Sequence, residues 1–427
     1  MRTRFVVSVA ITDLLSLAVA VVGASLLVFD RTFPWDAHTP GPVWPLLGFI
    51  TLSMIAMSFL TEQMGGPGVP RPTYGRMTAI MGGTWLLTAA LLVVFRDVYY
   101  SRALFLLTLL IWLAPATIHR VIRRRKPWTE RMGVITREKQ LADQLGDMDH
   151  AEVVWVLTPD FDGPMELPDR STTIAVDLGG VLSERVAQYV SSCDIAGYNI
   201  RPFSSIYEEH TGRVPLVHLA EGWEISAPLL QVARWLPGKR ALDLVLTTLT
   251  SVLWVPIGLM VAAYVKVSDP GYAIFKQERV GLNGQVFTMY KFRTMYLDAE
   301  EEGPQFASED DPRLIEGGSF LRKSRLDEIP QLWNVLKGDM TLVGPRAEQV
   351  PFVERFRRVI PFYDHRHLVR PGITGWAQVN YGYADDQADT VEKLTYDLYY
   401  VKHMSPILDL RIFWKSVWTV LTGAGAR

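Results

Sequence analysis

Two adjacent carboxylates, Asp327 and Glu328, stand in the run Ser324-Arg325-Leu326-Asp327-Glu328-Ile329-Pro330. A carboxylate held ionised and unencumbered can serve as a nucleophile or hold a metal ion. Pro330 suits the first turn of a helix, where its missing N–H is not needed. Leu332, Trp333, Val335 and Leu336 give that helix an apolar face. The spacing therefore predicts the acidic pair at the positive end of a helix dipole, which favours the ionised forms. A plain helix cap has the same local pattern, so the pair alone does not establish chemistry. Four cations are candidates to meet phosphate oxygens. Arg293, Arg346 and Arg370 offer bidentate contacts and Lys291 a point charge. Arg346 follows Gly-Pro and Arg370 precedes Pro-Gly, pairs that fix the backbone from which each side chain starts. His365 and His367 have no nearby cysteine or third ligand, which argues against a zinc site.

The elements that must position these residues follow from composition. The chain has 427 residues, enough for two or three domains, and a formal net charge of −2 that gives no hint of nucleic acid. Cys193 is the single cysteine, so an internal disulfide is excluded. Four apolar runs, about Phe5–Phe29, Val43–Leu60, Met77–Phe95 and Ala103–Ile118, approach the length needed to cross a bilayer. Asp13 is the one acidic residue within them, near the end of a span. The first run is too long for a removed signal peptide and lacks a small-residue cleavage site. Arg2, Arg4, Arg71, Arg76, Arg120 and the basic run Arg123–Lys126 fall on one side, against Arg31, Arg96 and Arg102 on the other. Both ends of this unit are therefore predicted on the cytoplasmic face, with Gly65–Gly75 as the loop between the second and third spans.

Val153–Leu157 and Thr173–Val176 are predicted as buried strands, and Ser183–Ala196 as a helix capped by Ser183. That alternation predicts a small α/β domain. Gly133-Val134-Ile135-Thr136-Arg137-Glu138 has no glycine pair, which argues against a nucleotide-binding loop after the first strand. A fifth apolar run, Ala241–Val265, is long enough to span, with Pro256 near its middle. Proline there removes a backbone hydrogen bond and bends the helix. The last helix, with Ile412, Phe413, Trp414, Val417, Trp418 and Leu421 among Arg411 and Lys415, fits an interfacial helix and a core helix equally well.

From Lys239 onward the chain resembles the bacterial sugar transferase family, the monotopic polyprenyl-phosphate sugar-1-phosphate transferases that initiate capsule, exopolysaccharide and O-antigen synthesis. The resemblance rests on motifs in the family's order. They are Lys239-Arg240-Ala241-Leu242-Asp243, Gln277-Glu278-Arg279-Val280-Gly281, Lys291-Phe292-Arg293-Thr294-Met295 and Asp310-Asp311-Pro312-Arg313. The block Asp327–Arg346, the run Arg370–Asn380 and Tyr396-Asp397-Leu398-Tyr399-Tyr400 follow. Val255 stands where the family has Ser before Pro256, and Ala347 where it has Pro after Gly-Pro-Arg.

The resemblance implies a reaction between a UDP-sugar, UDP-glucose or UDP-galactose by default, and undecaprenyl phosphate, giving undecaprenyl-diphosphate-sugar and UMP. It implies Asp327 as the nucleophile, through an aspartyl-phosphate-sugar intermediate, and Glu328 as metal ligand or proton carrier. Mg²⁺ bound by Asp327 and Glu328 is the implied cofactor. The implied fold class is membrane α plus α/β. It comprises four transmembrane helices over 1–126, a cytoplasmic α/β domain over 127–232 and a monotopic α/β catalytic domain over 233–427. The catalytic domain would face the cytoplasm at a bacterial inner membrane, with Ala241–Val265 re-entrant and broken at Pro256. Undecaprenyl phosphate and the lipid bilayer are the expected partners, nucleic acid is not, and a homodimer is compatible with the sequence. The competing reading is a membrane sensor or scaffold that binds a nucleotide sugar without turnover. A multi-span phosphoglycosyl transferase is disfavoured because its catalytic acids lie in loops between spans.

Overall fold

The N-terminal apolar runs form four helices in the computed structural model: α1 (Arg2–Phe29), α2 (Trp44–Gln63), α3 (Tyr74–Val94) and α4 (Arg102–Arg125). The structure describes residues 2–39, 42–63, 74–94, 101–125, 129–179, 181–216, 235–296, 311–381 and 387–422. The loop Gly65–Gly75, Arg96 and Asp310 lie wholly or partly outside them. α1 packs on α4 and α2 on α3, burying Leu17, Ile50, Met54, Ile80, Phe105 and Trp112. Leu15, Val19, Leu27, Leu52 and Leu86 on the outer faces are 62–70 % exposed. A surface so apolar suits hydrocarbon, not water. Asp13 turns inward: Ser58 Oγ donates to its carboxylate at 2.8 Å, and the Trp112 indole donates to its backbone carbonyl at 3.2 Å. By length and hydropathy Ile11–Asp36, Arg102–His119 and Ser251–Ser268 can cross a bilayer, while the apolar helices Trp44–Leu60 and Ala79–Leu92 are shorter.

The chain divides into two compact units, residues 1–203 with 209–211 and residues 204–208 with 212–427. The first unit also holds a four-stranded parallel sheet of β1 (Glu130–Ile135), β2 (Ala151–Leu157), β3 (Thr173–Val176) and β4 (Ile200–Pro202), in the order β2-β1-β3-β4. Helices α5 (Lys139–Gly146) and α6 (Glu184–Ile195) connect them. The predicted α/β domain is present, and Ser183 Oγ caps α6 by accepting from the Val186 N–H at 3.3 Å. Cys193 is buried in this core. Helix α7 (Phe203–Thr211) follows.

The second unit begins ahead of Lys239. Val214 is fully buried in its core with Val343, Trp376, Leu398, Tyr400 and Ile412, and the Trp376 indole donates to the Gly212 carbonyl at 2.8 Å. Helices α8 (Leu236–Leu249) and α9 (Ser251–Ser268) come next, then the antiparallel hairpin β5 (Ile274–Val280) and β6 (Val286–Phe292). α10 (Gly318–Lys323) and a 3-10 turn over Leu326–Glu328 lead to α11 (Gln331–Lys337) and β7 (Thr341–Val343). After α12 (Val350–Val359), β8 (Gly372–Thr374) pairs parallel to β7. The unit ends with α13 (Trp376–Asn380), α14 (Gln387–His403) and α15 (Pro406–Thr422).

The expected break at Pro256 is corrected. The helix is interrupted at Thr250, and Pro256 lies inside α9. Side chains absorb carbonyls around the interruption: Thr250 Oγ1 donates to Leu246 O at 2.7 Å and the Trp254 indole to Thr247 O at 2.9 Å. Pro256 follows closely enough that its missing N–H removes a single bond from a helix only just begun. Polarity across α8 and α9 is inverted relative to a water-soluble helix. Lys239, Asp243 and Thr247 are buried against the rest of the unit, while Val245, Leu249, Val252, Leu253, Leu259 and Met260 are 52–73 % exposed. α15 meets the core expectation on one face, with Leu408 and Ile412 buried, and leaves Leu410, Phe413 and Trp414 exposed on the other. The side chains of Trp418 and Leu421 lie outside the described residues.

Candidate active site

Asp327 and Glu328 are not at the first turn of a helix. They occupy the 3-10 turn, and α11 starts only at Gln331. Arg325, in the left-handed conformation at φ 59°, turns the chain sharply out of α10 into that turn. Such a backbone costs a non-glycine residue about 1 kcal/mol or more, and here it aims two carboxylates inward. Both are buried, 7 % and 6 % exposed. The apolar face expected of α11 is also displaced. Gln331, Asn334 and Val335 face the core, while Trp333 is exposed. Asn334 explains the inversion, because it bridges β6 by accepting from Tyr290 N at 3.1 Å and donating to Thr288 O at 2.7 Å.

The two carboxylates have opposite surroundings. Glu328 Oε1 accepts from both terminal nitrogens of Arg346 at 3.2 Å and faces Lys291 Nζ at 3.5 Å. Arg325 reaches its other oxygen at 3.4 Å. Burial alone would raise the Glu328 pKa, but Arg346, Lys291 and Arg325 together hold it well below the usual carboxylate range. Asp327 Oδ1 is buried with no hydrogen-bond partner. Burial, reinforced by the Glu328 charge, pushes the Asp327 pKa up against the pull of Lys291 and Arg346. Lys291 is itself drawn down to about 8, chiefly by burial. The helix-dipole expectation therefore describes Glu328 only in outcome and Asp327 not at all. Neighbouring charge and desolvation outweigh a seven-residue helix.

Of the four predicted phosphate cations, Lys291 and Arg346 meet the acidic pair. Arg293 is buried and pairs with Asp269 beyond the end of α9, lying over the Tyr272 ring. Arg370 donates through Nε to the Gly338 carbonyl at 2.9 Å. Among the described residues no group of three or more His, Cys, Asp or Glu side chains converges as a metal site. Glu328 is already engaged by Arg346, Lys291 and Arg325, so the unpartnered Asp327 Oδ1 is the carboxylate oxygen open to a hard ion, which phosphate oxygens would complete.

Sequence reasoning missed the scaffold behind the site. Arg240 on α8 donates to the Val335 and Leu336 carbonyls, capping α11 from outside. Asp243 accepts from Thr341 Oγ1 at 2.5 Å and Leu342 N at 3.2 Å, fixing the start of β7. Lys239 pairs with Asp409 at 2.6 Å. The i, i+4, i+8 spacing of Lys239, Asp243 and Thr247 inside an apolar run was the available signal. Arg366 pairs with Asp397 at 2.7 Å, donates to Tyr363 Oη at 2.8 Å and donates to the Arg346 backbone carbonyl at 2.9 Å. Gly344 and Gly372 let β7 and β8 approach closely; a Cβ on Gly372 would collide with the Gly344 backbone. That approach sets the bridge between Arg346 and Gly372.

Comparison with known proteins fits this geometry. Residues 234–423 match the family described as bacterial sugar transferase. The chain is 41 % identical over 284 residues to a UDP-N-acetylgalactosamine-undecaprenyl-phosphate N-acetylgalactosaminephosphotransferase of Aeromonas hydrophila, covering 66 % of this chain and 65 % of that protein. It is 41 % identical over 228 residues to the UDP-glucose:undecaprenyl-phosphate glucose-1-phosphate transferase of Escherichia coli K12, covering 52 % and 47 %. The match to the exopolysaccharide production protein PSS of Rhizobium leguminosarum is 37 % identical over 190 residues, 43 % of this chain and 95 % of that protein. The chain thus spans about two thirds of the first of these relatives, about half of the second and nearly all of the third.

Proposed function

The chain belongs to the bacterial sugar transferase family, and from that premise we propose that it moves a sugar-1-phosphate from a UDP-sugar to undecaprenyl phosphate. The products are undecaprenyl-diphosphate-sugar and UMP. One observation carries the reading: a buried carboxylate oxygen without a partner, Asp327 Oδ1, beside a second carboxylate whose charge is taken up by Lys291 and Arg346. A binding module has no use for such an oxygen, whose burial costs free energy.

Asp327 attacks the phosphorus next to the sugar, and the bond from that phosphorus to the nucleotide's phosphate breaks as UMP leaves with the electron pair. An oxygen of undecaprenyl phosphate then attacks the same phosphorus and releases the Asp327 carboxylate. Lys291 and Arg346 neutralise charge on the equatorial oxygens. Glu328 keeps those cations in place, and Arg346 exchanges part of its hold on Glu328 for phosphate. Asp327 and Glu328 would hold Mg²⁺, which when bound supplies neutralising charge to the phosphate oxygens. Arg293 and Arg370 support this site from their present partners, Asp269 and Gly338 O.

The proposed arrangement is four spans over 1–126, a cytoplasmic α/β domain and a catalytic unit whose α8–α9 pair enters and leaves the membrane on the cytoplasmic face, turning at Thr250. The inverted polarity of that pair supports it, as does its attachment at both ends to one folded unit, through Lys239–Asp409 and Arg293–Asp269. In a Cys193→Ser background, single cysteines at Gly238 and Ser268 should both resist a membrane-impermeant reagent until cells are opened. Labelling of Ser268→Cys from outside would exclude the topology. The reaction is tested by incubating the full chain with undecaprenyl phosphate and UDP-glucose, UDP-galactose or UDP-N-acetylgalactosamine and measuring UMP. One sugar should support release that chelator stops and Mg²⁺ restores. No release with any UDP-sugar contradicts the proposal.

A further inference from the structure

A small pocket beside the acidic pair is lined by Arg279, Lys291, Gln331 and Arg346, with Met289 and Met340 behind them. Lys291 and Arg346 are the two cations shared with Glu328. Arg279 forms another wall. Its Nε and one terminal nitrogen donate to Gln277 Oε1 at 3.0 Å and 2.6 Å, and the other donates to the Ala347 carbonyl at 2.9 Å. Gln331 is 3 % exposed, and its Nε2 has no hydrogen-bond partner. A buried amide donor left unsatisfied is destabilising unless a ligand supplies the missing acceptor. Facing three cations with no carboxylate among the pocket's own lining, it describes a receptor for an anion rich in acceptor oxygens.

We propose that this pocket is a phosphate monoester site used twice in each turnover, with Gln331 and Arg279 as its dedicated binding residues. The inference rests on the transfer reaction proposed above and deepens it. In the first step Asp327 forms its bond to the sugar-bearing phosphorus as the bond to the nucleotide's phosphate breaks, so that phosphate departs opposite Asp327. In the second step an acceptor phosphate oxygen bonds to the same phosphorus as the Asp327 bond breaks, so it must arrive opposite Asp327. The departing and arriving groups are both phosphate monoesters, and one cationic pocket, sharing Lys291 and Arg346 with Glu328, serves each in turn. Gln331 donates to an oxygen of whichever phosphate is present, and Arg279 holds its outer face.

The test uses Gln331→Met, which keeps volume among Met289 and Met340 and removes the side-chain amide, and Arg279→Met with Arg279→Lys as the conservative partner. In the full chain in vesicles containing undecaprenyl phosphate, three constants are read: KM for the lipid acceptor, inhibition by UMP and inhibition by uridine, which has no phosphate. The expected result is that Gln331→Met and Arg279→Met each raise the acceptor KM and the UMP inhibition constant in parallel, by about tenfold. Uridine inhibition stays within about twofold, and Arg279→Lys recovers part of both losses. A change in the UMP constant alone, or in the acceptor KM alone, means separate phosphate sites and overturns the proposal. So does unchanged behaviour of both. A parallel rise that includes uridine would report a damaged fold and also count against it. Absence of UMP release from the unsubstituted protein would instead strike the proposed reaction itself.

Discussion

The molecule has two apolar helical regions, and they spend their buried polar groups in opposite ways. In the N-terminal bundle Asp13, Ser58 and Trp112 bond across α1, α2 and α4, holding helices to one another. In α8 the polar groups reach outward from the apolar pair to the catalytic elements: Lys239 to Asp409, Arg240 to the end of α11, Asp243 to the start of β7. The bundle is thus tied to itself, whereas α8 is part of the scaffold that aims Asp327, Glu328 and Arg346. An apolar run can be an anchor or a structural member of a site, and the partners of its few polar residues decide which.

Breaking one polar tie in each region gives the largest contrast. Lys239→Met leaves Asp409 buried without its cation, a loss of about 3–5 kcal/mol, and should abolish UMP release by unfolding the catalytic unit. Ser58→Ala removes one hydrogen bond to Asp13, about 1 kcal/mol, and should leave turnover within about twofold. Thermal unfolding and UMP release measured on both variants check the contrast; equal losses would erase it.

Deletion sharpens the same comparison. A chain beginning at Ser204 should bind vesicles and release UMP, because every described contact of the acidic pair lies after that point. A chain beginning near Arg234 discards Val214 and the Gly212 carbonyl bonded by Trp376. It should lose about 2–3 kcal/mol from Val214 burial and the lost bond, seen as a lower unfolding midpoint. An inactive but well-folded chain from Ser204 would show that the bundle contributes to the site.

A smaller effect comes from pH. Asp327 is raised from its usual 3.8 to about 6, first by burial. A raised carboxyl binds its proton more tightly in the folded state, so this group's charging costs stability as pH rises from about 4 through 6. The nucleophile is meanwhile lost as pH falls through about 6. The single-turnover rate of UMP release should fall about tenfold per unit below that point, and a rate independent of pH between 5 and 7 would deny that Asp327 must be ionised.

Much of this was legible in the chain because it is local. The strands Val153–Leu157 and Thr173–Val176, the Ser183 cap and the apolar runs are properties of neighbouring residues, as is the Asp327-Glu328 pair. What escaped depends on distant partners. Arg293 looks as available as Lys291 in the sequence, yet Asp269 claims it. Trp333 looks like core and is exposed, because Asn334 is needed to bridge β6. Pro256 looked like the break, but the interruption settles at Thr250, where a hydroxyl and an indole supply the hydrogen bonds. Gln331 gives no sequence signal at all, since an unpartnered amide is visible only once its surroundings are known.

The central claim is that Asp327 forms a bond to the sugar-bearing phosphorus. Full-length protein mixed with a productive UDP-sugar, without acceptor lipid, should be quenched rapidly and analysed by peptide mass. A sugar-phosphate adduct on the peptide containing Asp327, formed together with UMP and absent from folded Asp327→Asn protein, is the predicted result. UMP release by Asp327→Asn at a rate near that of the unsubstituted protein, or transfer to lipid with no adduct at any quench time, would contradict it.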